Sequence, residues 1–405
     1  MAFTPKTSGI STGGRALGAG LLAMGLALLA GCNSSILGGG GNEPPAPIAA
    51  PSLPMVNGPT VGQTFGTGAV RVGLILPLTQ NGQPFAVGAS LSNAAQLAVQ
   101  EAGGTDITVM LLDDKGTPDG AAQAASSEYG AGAQIVFGPL FADAARQASA
   151  AAQSAGRPLV AFSTDVGVAH PGVYLLSFLN EGYVDRIMDF AVSRGKKSIG
   201  ALIPQNAYGN VVAAAFNQAA ARLGVNVVAV QRYAPGQAAQ AAQQLAAQAG
   251  RMDALFAPEQ ADGMGAVADA LAAANVHAQL LGTGVWNDPR LLVSPNMQGA
   301  WFAAPENAGF QSFAKRYQAQ FHSAPTRLAT LAYDAISLAT GMARKYGAAP
   351  YTAQNLTDPS GFIGADGVFR FHQDGTNERG LAVLQVGAGG TTTVLSPAQR
   401  SFAGG

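Results

Sequence analysis

One spacing in the sequence could support nucleophilic catalysis. Ser193 and Lys196 stand three positions apart, and a Ser-x-x-Lys pair on a helix places the amine one turn from the hydroxyl that it assists. Gly195 argues against a helix here, because glycine commonly ends helices and the segment 198–203 has the composition of a strand. The companion Ser-Asp-Asn and Lys-Thr-Gly motifs are absent from the sequence. We therefore expect no catalysis at this position and no enzyme.

Metal binding has equally little support in the sequence. The histidines have neither a metal-ligand spacing nor a nucleophile beside them in sequence; they are His170, His277, His322 and His372. Asp113, Asp114 and Asp119 do not match the spacing of a calcium loop. We interpret the aspartate pair as the exit of a strand and Asp119 as the N-cap of the next helix, and we predict no metal and no cofactor.

Cys32 is the only cysteine in the chain and ends a short apolar segment, 21–30. Lys6 and Arg15 precede that segment, no acidic residue accompanies them, and the segment is too short to cross a bilayer comfortably. This arrangement is typical of a secretory signal. A secreted protein that used cysteine structurally would show pairs, since a lone thiol in an oxidising compartment invites intermolecular bonds.

The sequence Leu29-Ala30-Gly31-Cys32 resembles the lipobox of bacterial lipoproteins. The resemblance implies removal of a signal peptide over 1–31 and attachment of acyl chains, palmitate among them, to Cys32. Several chains anchor a protein firmly where one does not. Asn33 replaces the aspartate that the family associates with inner-membrane retention, so we expect the periplasmic side of the outer membrane, with inner-membrane anchoring left open. A chance cysteine in an ordinary secretory signal is the alternative.

Composition separates a tether from a globular body. Residues 32–68 contain the run Gly38 to Gly41 and prolines at a density that cannot build a packed core, which predicts a tether after the lipidated Cys32. In the whole chain 48% of residues are hydrophobic, 11% are charged and the net charge is −1. No basic footprint for nucleic acid is present, so we expect no nucleic-acid partner.

Beyond the tether, apolar runs alternate with helical segments. The first series starts at the strand 70–76 and continues to 158–162, and the second begins after 173–176 with a helix over 181–194 and continues to 279–281. Continuous apolar strands that alternate with helices indicate parallel sheets covered on both faces. The length exceeds what one core supports, so we predict an α/β fold of two doubly wound parallel-sheet lobes with a hinge and a central cleft.

The ordered motifs of this region resemble the type I periplasmic binding proteins of the leucine-binding-protein kind. The stretches that carry the resemblance are Val72 to Leu78, Phe137 to Leu140, Pro158 to Ser163, Tyr208-Gly209, Gly299 to Phe302, Ala332 to Ala335 and Gly361 to Gly367. It implies a body over 69–395, with a tail over 396–405, lobe 1 over about 69–178 and 306–341, and lobe 2 over about 179–305 and 342–395. With the lipobox, the tether, Phe369 to Phe371 and Asn377 to Gly380, the chain resembles more narrowly the lipoproteins that activate penicillin-binding proteins.

Ligands of doubly wound lobes lie at the carboxyl ends of strands, so the candidate ligand residues are those of the loops that follow them. They are Ser163, Thr164, Asp165, Tyr208, Glu259, Thr283 and Trp286. Ser163 and Thr164 match the hydroxyl position of the amino-acid receptors, although turn or N-cap roles are common for such residues. Tyr208 and Trp286 could stack on a ligand, whereas Trp301 has a core-like setting.

Two positions depart from the amino-acid receptors. Leu140 to Ala142 stand where the receptors often carry a serine, and Thr283 stands where they commonly carry the glutamate that holds the ligand ammonium. Glu259 or Asp165 could substitute for that acid, or could be solvated loop residues. An ammonium without a negative partner would be costly in a closed cleft.

These departures favour a tethered regulator over a solute receptor. The resemblance implies that the body binds and activates a bifunctional penicillin-binding protein, a peptidoglycan synthase, with the membrane reached through the lipid. The alternative is a solute-binding receptor of a branched-chain amino-acid ABC importer. A small-molecule ligand in the cleft remains compatible with both functions.

Overall fold

The computed structural model describes residues 62–402. The predicted signal peptide, Cys32 and most of the predicted tether lie outside the described residues, whereas Gln63–Phe65, which we assigned to the tether, form an edge strand of the body with Phe65 buried. Within residues 62–402, none of the helices combines the length and the apolar character that a bilayer span requires.

The first sheet is parallel except for its edge strand β1, and its strand order is β1-β5-β2-β6-β7-β8. The short strands β3 and β4 form a separate hairpin after β2. The strands and helices of this region are β1 Gln63–Phe65, β2 Val70–Leu76, β3 Thr79–Gln80, β4 Gln83–Pro84, α1 Ala86–Glu101, β5 Ile107–Asp113, α2 Pro118–Gly130, β6 Ile135–Phe137, α3 Ala142–Ala155, β7 Leu159–Ala161 and β8 Val173–Leu175.

The second series forms the other sheet. Its elements are α4 Asn180–Ser193, β9 Ser198–Pro204, α5 Ala207–Leu223, β10 Asn226–Tyr233, α6 Ala238–Ala246, β11 Ala254–Phe256, α7 Ala261–Ala273, β12 Gln279–Gly282, α8 Pro289–Leu292 and β13 Trp301–Ala304. The C-terminal elements are α9 Asn307–Phe321, α10 Ala329–Tyr346, α11 Ala353–Leu356, β14 Phe362–Gly364, β15 Gly367–Phe371, β16 Asn377–Arg379, β17 Ala382–Val386 and β18 Thr392–Ser396. The second sheet has the order β10-β9-β11-β12-β13-β17-β18, and β14, β15 and β16 form a small antiparallel sheet.

Alternate side chains of each central strand enter different cores. In β2, Leu74 and Leu76 belong to one cluster, whereas Ile75 belongs to the cluster on the opposite face. In β9, Ile203 and Leu202 divide between two clusters in the same way. A strand that is buried on both faces must be apolar at successive positions, which is the pattern that predicted the fold. The predicted α/β class with parallel-sheet lobes is confirmed.

Within residues 62–402, three segments join helices or strands of one lobe to those of the other, and we call these segments the hinge. They are Leu176 to Leu179 after β8, Pro305 to Glu306 after β13, and Gly380 to Leu381 after β16.

Residues 342–379 pack on the first lobe, contrary to our assignment of this stretch to lobe 2. Tyr351, Leu356 and Phe369 lie in the core cluster that contains β2 and α1. The sequence predicted a lobe change inside α10, but this helix continues to Tyr346 along the first lobe.

Three local predictions have clear structural outcomes. The turns around Asp366 and Asp374 are present, between β14 and β15 and between β15 and β16. The N-cap of α2 is Thr117, whose side chain accepts the Gly120 N–H, so the prediction of Asp119 as N-cap is wrong. A proline at the first helical position, Pro118, fixes this earlier start.

Candidate functional site

The predicted site residues lie in loops at the carboxyl edges of the two sheets. In the first lobe, β2, β6 and β7 end before Pro77, Gly138 and Phe162. In the second lobe, β11 and β12 lead into the loops that carry Glu259 and Thr283, and β9 leads into the loop before α5, whose second residue is Tyr208. We call these loops the rim. In the first sheet the strand order changes direction beside β2, and in the second sheet it does so beside β9. Doubly wound lobes bind ligands at the carboxyl ends of the strands at such a point.

In the first lobe, Ser163 and Asp165 stabilise their own loop. Ser163 is buried, and its hydroxyl accepts the Asp165 N–H at 3.0 Å. Asp165 accepts the Gly167 N–H at 2.9 Å with one carboxylate oxygen, and its other oxygen pairs with Arg146. Thr164 between them is exposed to solvent. Of these candidates, Thr164 presents the most accessible side chain.

Asp113 and Asp114 have structural roles at the end of β5. Asp113 accepts the N–H groups of Leu78, Thr79 and Lys115 with Oδ1 and the Thr79 hydroxyl with Oδ2. Asp114 is completely buried and accepts the Gly116 N–H at 2.8 Å. Burial raises the pKa of Asp114 to about 7. The aspartate pair therefore fixes the rim loop after β2 and its own loop after β5.

In the second lobe, Tyr208 and Thr283 contact each other. Their hydroxyl oxygens are 2.7 Å apart, Thr283 is completely buried and Tyr208 is half-buried. Asn206 caps α5 by accepting the Gly209 N–H at 2.7 Å, which holds Tyr208 in the first turn. Burial raises the pKa of the Tyr208 hydroxyl, so this group remains neutral.

Glu259 is also bound within its own lobe. One carboxylate oxygen accepts the Tyr233 hydroxyl, and the other accepts the N–H of Gln260 at 2.7 Å. Tyr233 and Glu259 border a cavity of about 420 Å³, whose other lining residues include Asn206 and small residues of α6 and α7. A carboxylate with both oxygens engaged has less capacity for an added ammonium.

Trp286 belongs to the core of the second lobe. Its side chain is completely buried, and its indole Nε1–H donates to the Glu259 carbonyl at 3.2 Å. The absence of a side chain at Gly282 leaves the space that the indole fills, because a Cβ there would lie 2.3 Å from the ring. The prediction that Trp286 stacks on a ligand is therefore wrong. Trp301, predicted as core, is partly exposed and packs edge-on against Phe190.

The structure joins the candidates within each lobe. Tyr208 bonds to Thr283, Trp286 bonds to Glu259, and Ser163 bonds to Asp165. Among the described residues, no hydrogen bond links a candidate of the first lobe to one of the second.

Sequence reasoning missed an aromatic pair on the rim. Phe85 and Phe141 occupy the N-cap positions of α1 and α3, and their ring centroids lie 6.2 Å apart. The signal was an apolar residue at two helix starts where a polar N-cap is usual.

A buried group of charges beside the hinge was also missed. It contains Arg327, Asp334, Asp366 and Arg379, two ion pairs whose members are far apart in sequence. Arg379 stood in a stretch that carried the resemblance, but nothing local to it indicated a partner.

Comparisons with known proteins agree with this architecture. A family model described as periplasmic binding protein matches residues 69–391. A search of curated proteins gives no match.

Several solved structures share the fold. A putative branched-chain amino acid ABC transporter protein from Rhodospirillum rubrum is similar with a TM-score of 0.71 and 18% identity, over 81% of this chain and 100% of that one. A substrate-binding protein from Desulfitobacterium hafniense in complex with Leu has a TM-score of 0.61 and 18% identity, over 81% and 100%. A solute-binding protein from R. palustris in complex with benzoate has a TM-score of 0.57 and 20% identity, over 82% and 98%.

Proposed function

This chain belongs to the periplasmic binding protein family, and within that family we propose that it is a lipid-anchored periplasmic regulator. In this proposal it binds and activates a bifunctional penicillin-binding protein. In this proposal the two-lobed body contacts the synthase through one lobe and favours its active conformation. Such activation requires a higher affinity for the active state of the synthase than for the inactive state.

The main support is the state of the polar groups on the rim. Glu259 and Asp165, the two acids that could hold an ammonium, are engaged with Tyr233 and Arg146. Thr283 occupies the position of the receptors' glutamate and is bonded to Tyr208. To grip an amino acid, the rim would have to break these internal bonds, and the completely buried Thr283 hydroxyl would be left unpaired at a cost of about 1–3 kcal/mol.

The N-terminal sequence adds a second support. Cys32 in its lipobox and the Gly- and Pro-rich stretch after it suit a protein that works at a distance from the membrane that holds it. In this proposal the lipid is part of the function, because it keeps the body near a membrane-bound synthase.

The proposal includes no catalytic step. Ser193 is the last residue of α4, and its hydroxyl donates to the Phe190 carbonyl at 2.7 Å. Lys196 follows the end of the helix, after Gly195 with φ +83°. A lysine outside the helix lacks the one-turn spacing by which an amine assists a serine.

The solute receptor is the second candidate, and the liganded neighbours favour it. The proteins from D. hafniense and R. palustris are described with Leu and with benzoate bound. A receptor would bind a small solute between its lobes, whereas the regulator needs only a surface for the synthase.

One experiment with two arms separates these functions. The purified full chain is used to capture detergent-solubilised envelope proteins, with a peptide of residues 33–61 as the control bait. We expect retention of a penicillin-binding protein by the full chain alone, and faster glycan polymerisation by the synthase in its presence.

The second arm measures thermal unfolding with leucine, isoleucine, valine or benzoate. A ligand at a hundredfold its dissociation constant stabilises the folded state by about 2.7 kcal/mol, which raises Tm by several degrees. We expect no such rise. A clear rise with one solute, together with no captured synthase, would replace the regulator with the receptor.

A further inference from the structure

Phe178 of the hinge is clamped between two arginines. Its ring lies 4.9 Å from the guanidinium carbon of Arg327 and 4.6 Å from that of Arg379. Arg327 also covers the ring of Phe310 at 4.6 Å, and Arg379 covers that of Phe369 at 5.2 Å. Stacking of a guanidinium on an aromatic ring is attractive, and more so where the pair is shielded from water. The stack therefore holds the first hinge segment at a fixed point.

The two arginines of the stack differ in how completely their guanidinium groups are hydrogen-bonded. Arg327 donates to both carboxylate oxygens of the fully buried Asp366, at 2.8 and 2.7 Å. Arg379 has a side chain only 3% exposed and donates through Nε to the Ser177 carbonyl at 3.0 Å. Its terminal nitrogens, Nη1 and Nη2, have no hydrogen-bond partner.

The acceptor that Arg379 needs lies just out of reach. Oδ2 of Asp334, on α10, is buried without a partner and lies 3.6 Å from Nη1 of Arg379. Oδ1 of Asp334 accepts the Ala365 N–H at 2.6 Å, which fixes the carboxylate. A distance of 3.6 Å is too long for a hydrogen bond, so a shift of less than 1 Å would convert this contact into a charge-assisted bond.

The surroundings leave room for such a shift. Arg379 borders a cavity of about 20 Å³, whose lining includes Ser177, Tyr183 and Asn377. Oδ1 of Asn377 is another buried acceptor without a partner. Unmade hydrogen bonds of buried polar groups are costly, and Arg379 lies near two such groups, Asn377 in the lining of this cavity and Asp334 at 3.6 Å.

We propose that Arg379 and Asp334 form a hinge latch, which closes into hydrogen bonds in a second arrangement of the two lobes. Arg379 directly precedes the third hinge segment, whereas Asp334 is on a helix packed in the first lobe. A rotation of the second lobe moves the hinge backbone at Arg379 and leaves Asp334 in place. Small displacements of packed groups become discrete states because packed cores are bistable. The latch is independent of whether the body is a regulator or a receptor.

The charge of Asp334 gives the latch a pH dependence. Burial raises the pKa of Asp334 to about 7, against the opposing effect of Arg379. The other charges near it are Asp366, which also raises its pKa, and Arg327, which is paired with Asp366. Tyr183, near the same arginines, stays neutral because burial raises its pKa to about 12. Ionised Asp334 attracts Arg379 more strongly, so a rise in pH favours the closed latch.

The test measures the distance between the lobes in the full chain carrying Cys32→Ser. Ser154→Cys on α3 and Gln218→Cys on α5 are both at exposed positions and provide two unique sites for spin labels. Pulsed electron resonance at pH 6 and pH 8 then gives the distance distribution. Between these values the ionised fraction of a group with a pKa of 7 rises from about one tenth to about nine tenths. We expect two populations whose ratio changes severalfold.

Asp334→Asn should remove the pH response and leave the open-latch population, since the amide retains an acceptor for Ala365 N–H but has no charge. Glu378→Gln is the matched control, because Glu378 on β16 pairs with Arg370 at the surface, and it should keep the response. A distribution that is identical at both pH values in the unsubstituted chain would overturn the latch, even if Asp334→Asn fails to fold. A response that persists in a folded Asp334→Asn chain would overturn it as well.

Discussion

On the rim, the buried hydroxyls of Ser163 and Thr283 and the half-buried carboxylate of Glu259 have partners inside their own lobes, whereas at the hinge Arg379 and Asp334 keep buried atoms without partners. The two regions thus differ in how complete their hydrogen bonding is. A satisfied loop has little to gain from a new ligand, while unsatisfied charges gain from a change in geometry. This difference supports both proposals, a rim that does not grip an amino acid and a hinge that changes its geometry.

The largest expected effect concerns the ion pair between Arg327 and Asp366 beside the hinge, which should stabilise the folded state. Asp366→Asn removes the charge and one of the two acceptors that Arg327 uses. Breaking a buried pair on one side costs about 3–5 kcal/mol, but the Arg327 side chain is 35% exposed. We therefore expect a loss of about 2 kcal/mol in the free energy of unfolding, measured with urea.

Glu378→Gln is the control for this loss. The side chains of Glu378 and Arg370 are 37% and 29% exposed, so their pair should contribute less than about 1 kcal/mol. Equal losses of unfolding free energy in the two variants would show that the pair between Arg327 and Asp366 stabilises the protein no more than the pair between Arg370 and Glu378.

A smaller effect is expected on the rim, at the bond between Tyr208 and Thr283. Tyr208→Phe leaves the completely buried Thr283 hydroxyl without this partner, which should cost about 1.5 kcal/mol of unfolding free energy. The double variant with Thr283→Val should recover part of the loss, because both polar groups are then absent. If the losses of unfolding free energy in Tyr208→Phe and Thr283→Val simply add in the double variant, the bond between the two hydroxyls does not contribute to stability.

The smallest effect concerns the helix start that positions Tyr208. Asn206→Ala removes the side chain that accepts the Gly209 N–H, and loss of an N-cap costs about 1 kcal/mol. Gln205→Ala, at the exposed neighbouring position, should change the unfolding free energy by less than about 0.5 kcal/mol. Thermal unfolding of both variants checks this. A larger loss of unfolding free energy in Gln205→Ala than in Asn206→Ala would assign the stabilisation to the loop and not to the N-cap.

Much of the fold could be predicted because it depends on local patterns. Apolar strands such as Val70–Leu76, alternating with helices, indicated sheets buried on both faces, and turns such as that at Asp366 marked hairpins. The site was predicted only as a set of loops. Whether Trp286 faces a ligand or the core depends on the space that Gly282 leaves for its ring. The spacing of apolar residues in the sequence does not encode that contact.

The sequence alone determined the alternation of strands and helices, the threonine at position 283 and the single Cys32, because these are matters of residue type and spacing. Only the tertiary structure decided that residues 342–379 pack on the first lobe and that Phe178, Arg327 and Arg379 stack at the hinge. Contacts between residues so far apart in the chain depend on how whole lobes pack. The burial that leaves Asp334 and Arg379 unbonded at 3.6 Å exists only in that packed arrangement.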